Sequence, residues 1–254
     1  MECDMSEDIC YNRNYLSQVI VRLDLLNPIE ELKTSVPKGI SDEIMINFKV
    51  AEPRKKIGKE LLISPNEVKE NKIEVMEWNF YGTQREKRCV IITDAIFLEY
   101  KEYNTYEELR DIFVAIIAKF FNKYKDLQGR RLGLRYINKI DLGFDKPLEW
   151  ADYLNKDLLG LLNFYKEPQF LSRIFHNMEF NFSDYKLKFQ FGLHNPDFPA
   201  VIKRKQFILD FDAYFEGPQN FIDISKNLDD FHSRIQDLFE NCITNKFREH
   251  LNEE

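Results

Sequence analysis

Three stretches between residues 174 and 215 set large apolar side chains on alternate positions, and this constrains the fold more than any other feature of the chain. Ile174, Met178, Phe180 and Phe182 share one parity in the first stretch. Tyr185, Leu187, Phe189, Phe191 and Leu193 do so in the second, and Phe207, Leu209, Phe211, Ala213 and Phe215 in the third. Successive side chains of a strand point to opposite faces, so each stretch reads as a strand with one greasy face. Such faces need a cover. Segment 228–251 offers one: Phe231, Ile235, Leu238, Phe239, Cys242, Ile243 and Phe247 fall on one side of a helix that, at about 1.5 Å per residue, spans about 35 Å.

The preceding chain repeats this order of elements without repeating the residues. Residues 15–26 form a strand with Tyr15, Val19, Val21, Leu23 and Leu25 on one face and Gln18, Arg22 and Asp24 on the other. Asn27-Pro28 breaks it, and a short helix follows from Ile29. The run Ile44, Ile46, Phe48 and Val50 reads as a second strand ending at Pro53. Residues 53–71, with Arg54, Lys55, Lys56, Lys59 and Pro65, read as connecting loop. Strands are expected over 73–81, 87–93 and 96–101, with turns at Gly82 and Asp94. Thr105 to Glu108 is a capping-box pattern that opens a helix through Leu109, Ile112, Phe113, Ile116, Ile117, Phe120 and Tyr124, ended by Gly129. A strand over 131–141 and an amphipathic helix over 149–166, through Trp150, Leu154, Leu158, Leu161, Leu162 and Tyr165, complete the reading.

Strands followed by a helix, rather than strict alternation, predict an α+β fold. Gly143 and Pro147 punctuate two halves, 1–143 and 144–254. Each has mainly antiparallel strands covered by a long amphipathic helix, an arrangement open to one shared sheet.

Composition narrows the function classes. With 254 residues, 44% of them apolar, and only nine glycines and nine prolines, the chain builds a packed core. Its 43 acids against 36 Lys and Arg, a net charge of −7, argue against a surface that traps nucleic acid as a whole. Two basic patches stand out locally: Arg54-Lys55-Lys56 with Lys59, and Arg130-Arg131 with Arg135 and Lys139. No apolar run reaches membrane-spanning length, and Glu2, Asp4, Glu7 and Asp8 have the wrong sign for a secretion leader, so a cytoplasmic protein is expected. Cys3, Cys10, Cys89 and Cys242 make no C-x-x-C pair; disulfides are not expected, and Cys89 and Cys242 read as core fillers.

The chemistry-bearing residues are scattered. His176, His194, His232 and His250 lack metal-ligand spacing, and no phosphate loop, dinucleotide turn or nucleophile elbow is present, so neither metal nor cofactor is expected. Asp94, Glu99 and Lys101 form D-x4-E-x-K, the pattern of nucleases in which two carboxylates hold Mg²⁺ and a lysine helps activate water; the competing reading is a solvated strand face. Asp210 and Asp212 project together, opposite the Phe207–Phe215 face, where they serve either as a dyad or as an ion-pair network with Arg135 or Lys139. Arg135 alone is suited to an anionic ligand or a partner's carboxylate, because its fork binds two oxygens at once. Asn138 shares a face with Leu134 and Tyr136, so its amide needs an internal partner or a ligand. His232 lies at the edge of the last helix's stripe.

Four stretches resemble a sporadically distributed family of uncharacterised bacterial proteins of about this length. They are Tyr11-x-x-x-Tyr15-Leu16-x-x-Val19, with Tyr15 where the family pattern has proline; the Thr93-Asp94 turn leading to Tyr103 and Tyr106-Glu107; Leu132 to Ile140 with its Leu-Arg-Tyr-Ile-Asn core; and the last helix with His232, Phe239, Ile243-Thr244 and Phe247-Arg248. The resemblance covers nearly the whole chain and implies no established activity. Patchy distribution among bacteria is typical of mobile cargo, including phage-defence and toxin–antitoxin-like operons.

The reading this supports first is a non-catalytic interaction or sensing component with a protein partner, a homodimer among the options. The Mg-dependent nuclease and a small-molecule pocket between sheet and helix, lined by Phe189, Phe191, Phe211 and Phe239, stay open beside it. Nucleic-acid binding at the basic patches is the lesser partner option, and a membrane is not expected.

Overall fold

A computed structural model describes residues 11–64, 67–164 and 166–253. Among the described residues nine strands form one antiparallel sheet: β1 (Leu16–Leu25), β2 (Val50–Ser64), β3 (Glu67–Tyr81), β4 (Lys87–Ile92), β5 (Ala95–Tyr100), β6 (Gly129–Asp141), β7 (Ile174–Asn181), β8 (Lys186–Leu193) and β9 (Gln206–Gln219). Their order is β2-β3-β4-β5-β1-β6-β9-β8-β7. The helices are α1 (Lys38–Asn47), α2 (Tyr106–Lys123), α3 (Phe221–Cys242) and α4 (Asn245–Asn252), with short 3-10 segments at Glu30–Lys33, Lys156–Asn163 and Pro168–Phe170. The fold is α+β on a shared sheet, as the order of elements predicts. No helix among the described residues is long and apolar enough to cross a membrane.

By packing, the chain falls into two compact units. One comprises residues 20–133 and 215–228; the other comprises 1–19, 134–214 and 229–254.

In the first unit, β4 and β5 register Cys89 against Leu98 and Ile91 against Ile96, all fully buried, so these two strands build the middle of the core. Helix α2 adds Leu109, Phe113, Ile116, Ile117 and Phe120, and the Thr105 hydroxyl caps it by accepting the Glu108 N–H. The helix ends at Lys123, earlier than Gly129, which opens β6 instead. A Cβ at 129 would stand 2.7 Å from Leu23 Cδ1, so a close approach, not a helix stop, accounts for this glycine.

Two expectations in this unit are corrected. The run from Ile44 is helix α1, because Ile40, Ile44 and Phe48 are buried at a spacing of four while Ile46 is 58% exposed. Alternation and helical spacing both fit this short run, and packing chose the second. Residues 53–64 and 67–71 belong to a β-ribbon, not a loop: β2 and β3 pair from Val50↔Tyr81 to Ser64↔Glu67, while Pro65 lies outside the described residues. Pro53 is tolerated because β2 is an edge strand, where a missing N–H leaves no ladder bond unmade. Three members of the basic cluster meet acids, Lys55 pairing across the ribbon with Glu74 at 2.5 Å, Lys56 with Glu77, and Arg54 along its own strand with Glu52 at 3.5 Å; the Lys59 side chain lies outside what is described.

In the second unit, Leu187, Phe189, Phe191 and Leu193 of β8 meet Ala213, Phe211, Leu209 and Phe207 of β9, pair by pair. Phe189 stacks on Phe211 and on Phe191, each at 4.7 Å; from helix α3, Phe239 meets Phe211 and Phe231 meets Tyr185. These rings pack against one another on the face toward the helix. Strand β7 keeps the expected parity, with Met178 opposite Phe189, but its face is not buried: Met178 is 44% exposed, because β7 is the sheet's other edge.

Two helices differ from their expected form here. Segment 149–166 makes turns and then a 3-10 helix over Lys156–Asn163, with Asn155 accepting the Asp157 N–H. Gly160, mid-segment, weakens an α-helix there. The last helix breaks into α3 and α4 at Ile243-Thr244. Ile243 bridges to Leu154, the Thr244 N–H donates to the Tyr153 carbonyl at 3.0 Å, and the Thr244 hydroxyl caps α4 at the Phe247 N–H. Phe247 and Leu251 continue the apolar stripe across the break, which is why periodicity alone merges the two.

Candidate functional site

The β3–β4 turn runs from Gly82 to Glu86 and is closed by the Gly82 N–H donating to the Lys87 carbonyl at 2.9 Å. The chain just past β5 is fastened to it, since the Lys101 N–H donates to the Glu86 carbonyl at 2.8 Å. Between these segments lies a cleft of about 340 Å³, lined by Tyr81, Arg85, Glu86, Lys87, Arg88, Glu99 and Lys101. That volume is at the lower end of the range for small-molecule sites, roughly 300–1,000 Å³.

Cross-strand register places its central pair. Arg88 stands opposite Glu99, and its Nε donates to Glu99 Oε2 at 2.6 Å while Nη2 reaches the same oxygen. Glu99 is only 8% exposed, so the guanidinium supplies much of what water would otherwise give the acid. Phe97 sits between Arg88 and Arg22, whose guanidinium carbons lie 6.0 and 5.4 Å from its ring centre.

The other cations are held at the rim. Arg85 has φ +62°, a left-handed conformation that costs a residue with a Cβ about 1 kcal/mol. Its side chain grips both oxygens of Glu52 and lies 4.7 Å from the Tyr81 ring centre. The hydrogen bond from Arg85 holds the Glu52 carboxyl below its ordinary range. Lys87 donates to Glu108 at 3.2 Å and stands over the Tyr100 and Phe48 rings. Burial pulls the Glu108 carboxyl up, but its hydrogen bonds with Asn104 and Lys87 outweigh this and leave it below its ordinary value. Lys101 differs: among the described residues its exposed ammonium has no ion-pair partner. Four cations and two carboxylates line the cleft, and Glu52 and Glu108 beside it answer Arg85 and Lys87, so among the described residues the one of these charges that no acid holds in an ion pair is that of Lys101.

The D-x4-E-x-K residues separate. Glu99 and Lys101 line the cleft, but exposed Asp94 occupies the β4–β5 turn at the far end of β5. Five residues of strand put Asp94 about 16 Å from Glu99, beyond the reach of one Mg²⁺ ion. Among the described residues no three His, Cys, Asp or Glu side chains gather as a metal site.

The remaining candidates lie in the other unit. Arg135 on β6 makes a two-pronged contact with Asp210 on β9, Nε to Oδ1 at 2.8 Å and Nη2 to Oδ2 at 2.6 Å. That hydrogen bonding, opposed by burial and reinforced by the charges of Asp210 and Asp212, raises the Arg135 guanidinium above its ordinary value. Asp212 stands opposite Lys188 on β8. The buried Asn138 amide donates to the Leu209 carbonyl at 3.5 Å, and His232 Nδ1 lies 3.1 Å from the Tyr136 hydroxyl. Each thus meets an internal partner. Cys89 and Cys242 are buried thiols; burial pushes Cys242 up to about 12 and Cys89 higher still, while Cys3 and Cys10 lie outside the described residues.

Sequence reasoning missed Tyr81, Arg85, Lys87 and Arg88. The signal was present as Glu86-Lys87-Arg88 after a turn glycine, one strand before Glu99-x-Lys101, since a hairpin register aligns the two basic–acidic runs. No protein-family model matches the chain, and comparison with curated proteins gives no significant match.

Proposed function

We propose that this protein is a non-catalytic sensing component that binds a small oxyanion, a phosphate ester being the fitting class, in the cleft at the β3–β4 turn. The carrying observation is Lys101: its unpaired ammonium shares a cleft with Arg85, Lys87 and Arg88, whose charges are already anchored by acids. Anchoring fixes the donors in place before a ligand arrives, which lowers the ordering cost of binding. Donors from the turn, from β4 and from beyond β5 approach from different directions, which suits a tetrahedral dianion better than a flat monoanion. A sensor of this kind fits a phage-defence or toxin–antitoxin-like operon, the setting the bacterial family resemblance implies.

Thermal unfolding in inorganic phosphate and in a nucleoside monophosphate, at ionic strength matched with sodium chloride, tests the reading. The unfolding midpoint rises in the phosphate compounds for the unaltered chain and stays at the chloride value for Lys101→Ala. An equal rise in both proteins, or none in the unaltered one, overturns it.

A further inference from the structure

Strand β7 ends the sheet, and among the described residues only β8 bonds its backbone. Alternate N–H and C=O groups on its outer side therefore lack a ladder partner. Native edges are guarded by lysine, proline, bulges or cover. The strand Ile-Phe-His-Asn-Met-Glu-Phe-Asn has neither lysine nor proline, and it exposes Phe175 at 46% beside Met178. It carries two opposite charges, Arg173 just before the strand and Glu179 within it, both exposed and neither in an ion pair among the described residues. Arg173 is poised 4.3 Å over the Phe198 ring.

We propose that β7 pairs with β7 of a second copy of this chain, antiparallel about a two-fold axis at His176. The occupant follows from symmetry and charge. A two-fold axis perpendicular to a continuous sheet pairs residues of equal parity, so each register is named by the residue on the axis. With His176 there, Arg173 faces the second copy's Glu179 and Glu179 its Arg173, two ion pairs from one contact. The same register sets Ile174 against Met178 on the face that β8 continues with Phe189 and Leu193, covering an exposed thioether with apolar surface. It sets Phe175 against Asn177 on the other face. Moving the axis to Asn177 or Met178 places Asn181 or Ser183 opposite Arg173 and leaves both charges unmatched. A partner of unrelated sequence has no reason to carry this self-complementary pattern.

The test uses the full chain in sedimentation-velocity and light-scattering measurements. The unaltered protein sediments as a dimer with concentration-dependent dissociation. Arg173→Glu and Glu179→Arg each replace two attractions by two repulsions and weaken the dimer on the order of tenfold or more. The double variant Arg173→Glu/Glu179→Arg restores both pairs with reversed sign and returns the dimer to near its original strength. Both side chains are exposed in the monomer, so circular dichroism of the variants remains that of the folded protein. A monomer at every concentration overturns the proposal, as does a dimer indifferent to the single changes or a double variant no stronger than either single one.

Discussion

Arg88–Glu99 and Arg135–Asp210, one in each packing unit, are built alike and serve different ends. In each, an arginine on one strand covers an acid on the next, and both acids are only 8% exposed while both arginines are partly open to water. The difference lies in what surrounds them. Arg135 adjoins further negative charge at Asp212, so its positive charge is locally consumed. Arg88 adjoins Lys87, Arg85 and Lys101 around a cleft, and of these Lys101 is held in an ion pair by no acid among the described residues. An arginine–carboxylate pair by itself therefore does not mark a site; a cation beside it with no acid of its own does.

The largest way to break this comparison is to remove each acid. Asp210→Ala and Glu99→Ala each strand a partly buried guanidinium, and urea unfolding is expected to show a loss of about 2 kcal/mol for both, less than for a fully buried pair because water reaches the arginines. A much smaller loss at Glu99 would mean that neighbouring cations had not been held apart by it. Next in size, Arg88→Gln is expected to weaken phosphate binding about tenfold in calorimetric titration, and Arg135→Gln to leave it unchanged. Equal effects would erase the distinction between the pairs. The smallest effect is on pH. Glu108 has its carboxyl below the unfolded value of about 4.3, so the stability it contributes is present above that pH and is lost as pH falls through the lower folded value. Glu108→Gln is therefore expected to flatten the decline of the unfolding midpoint below pH 4.3 by about a few tenths of a kcal/mol, discounted for the exposure of its side chain.

Much of the fold was legible in the chain. Period two located β1, β8 and β9 because one face of each is buried over most of its length, and the Thr105 cap located α2 because its hydroxyl has a local partner three residues on, at Glu108. Legibility failed where two periods fitted one run, at Ile40 to Phe48, and where charge looked like solvent exposure, at Arg54 to Lys56. Half of the D-x4-E-x-K pattern was in the cleft, and half was not. Strand rise alone already sets Asp94 and Glu99 at opposite ends of β5; what no local count reveals is that Arg85, Lys87 and Arg88 gather beside Glu99.

By itself the sequence determined the α+β class, the greasy faces and the helix starts, since these depend on side-chain parity and on bonds within a few residues. Only tertiary structure decided which strands lie at the edges, where α3 stops, and which cation is left without an acid. Those outcomes depend on groups brought together from distant points in the chain: Leu154 against Ile243, Glu52 against Arg85, Glu108 against Lys87. Electrostatic surplus is a sum over such neighbours, and no local stretch contains its terms.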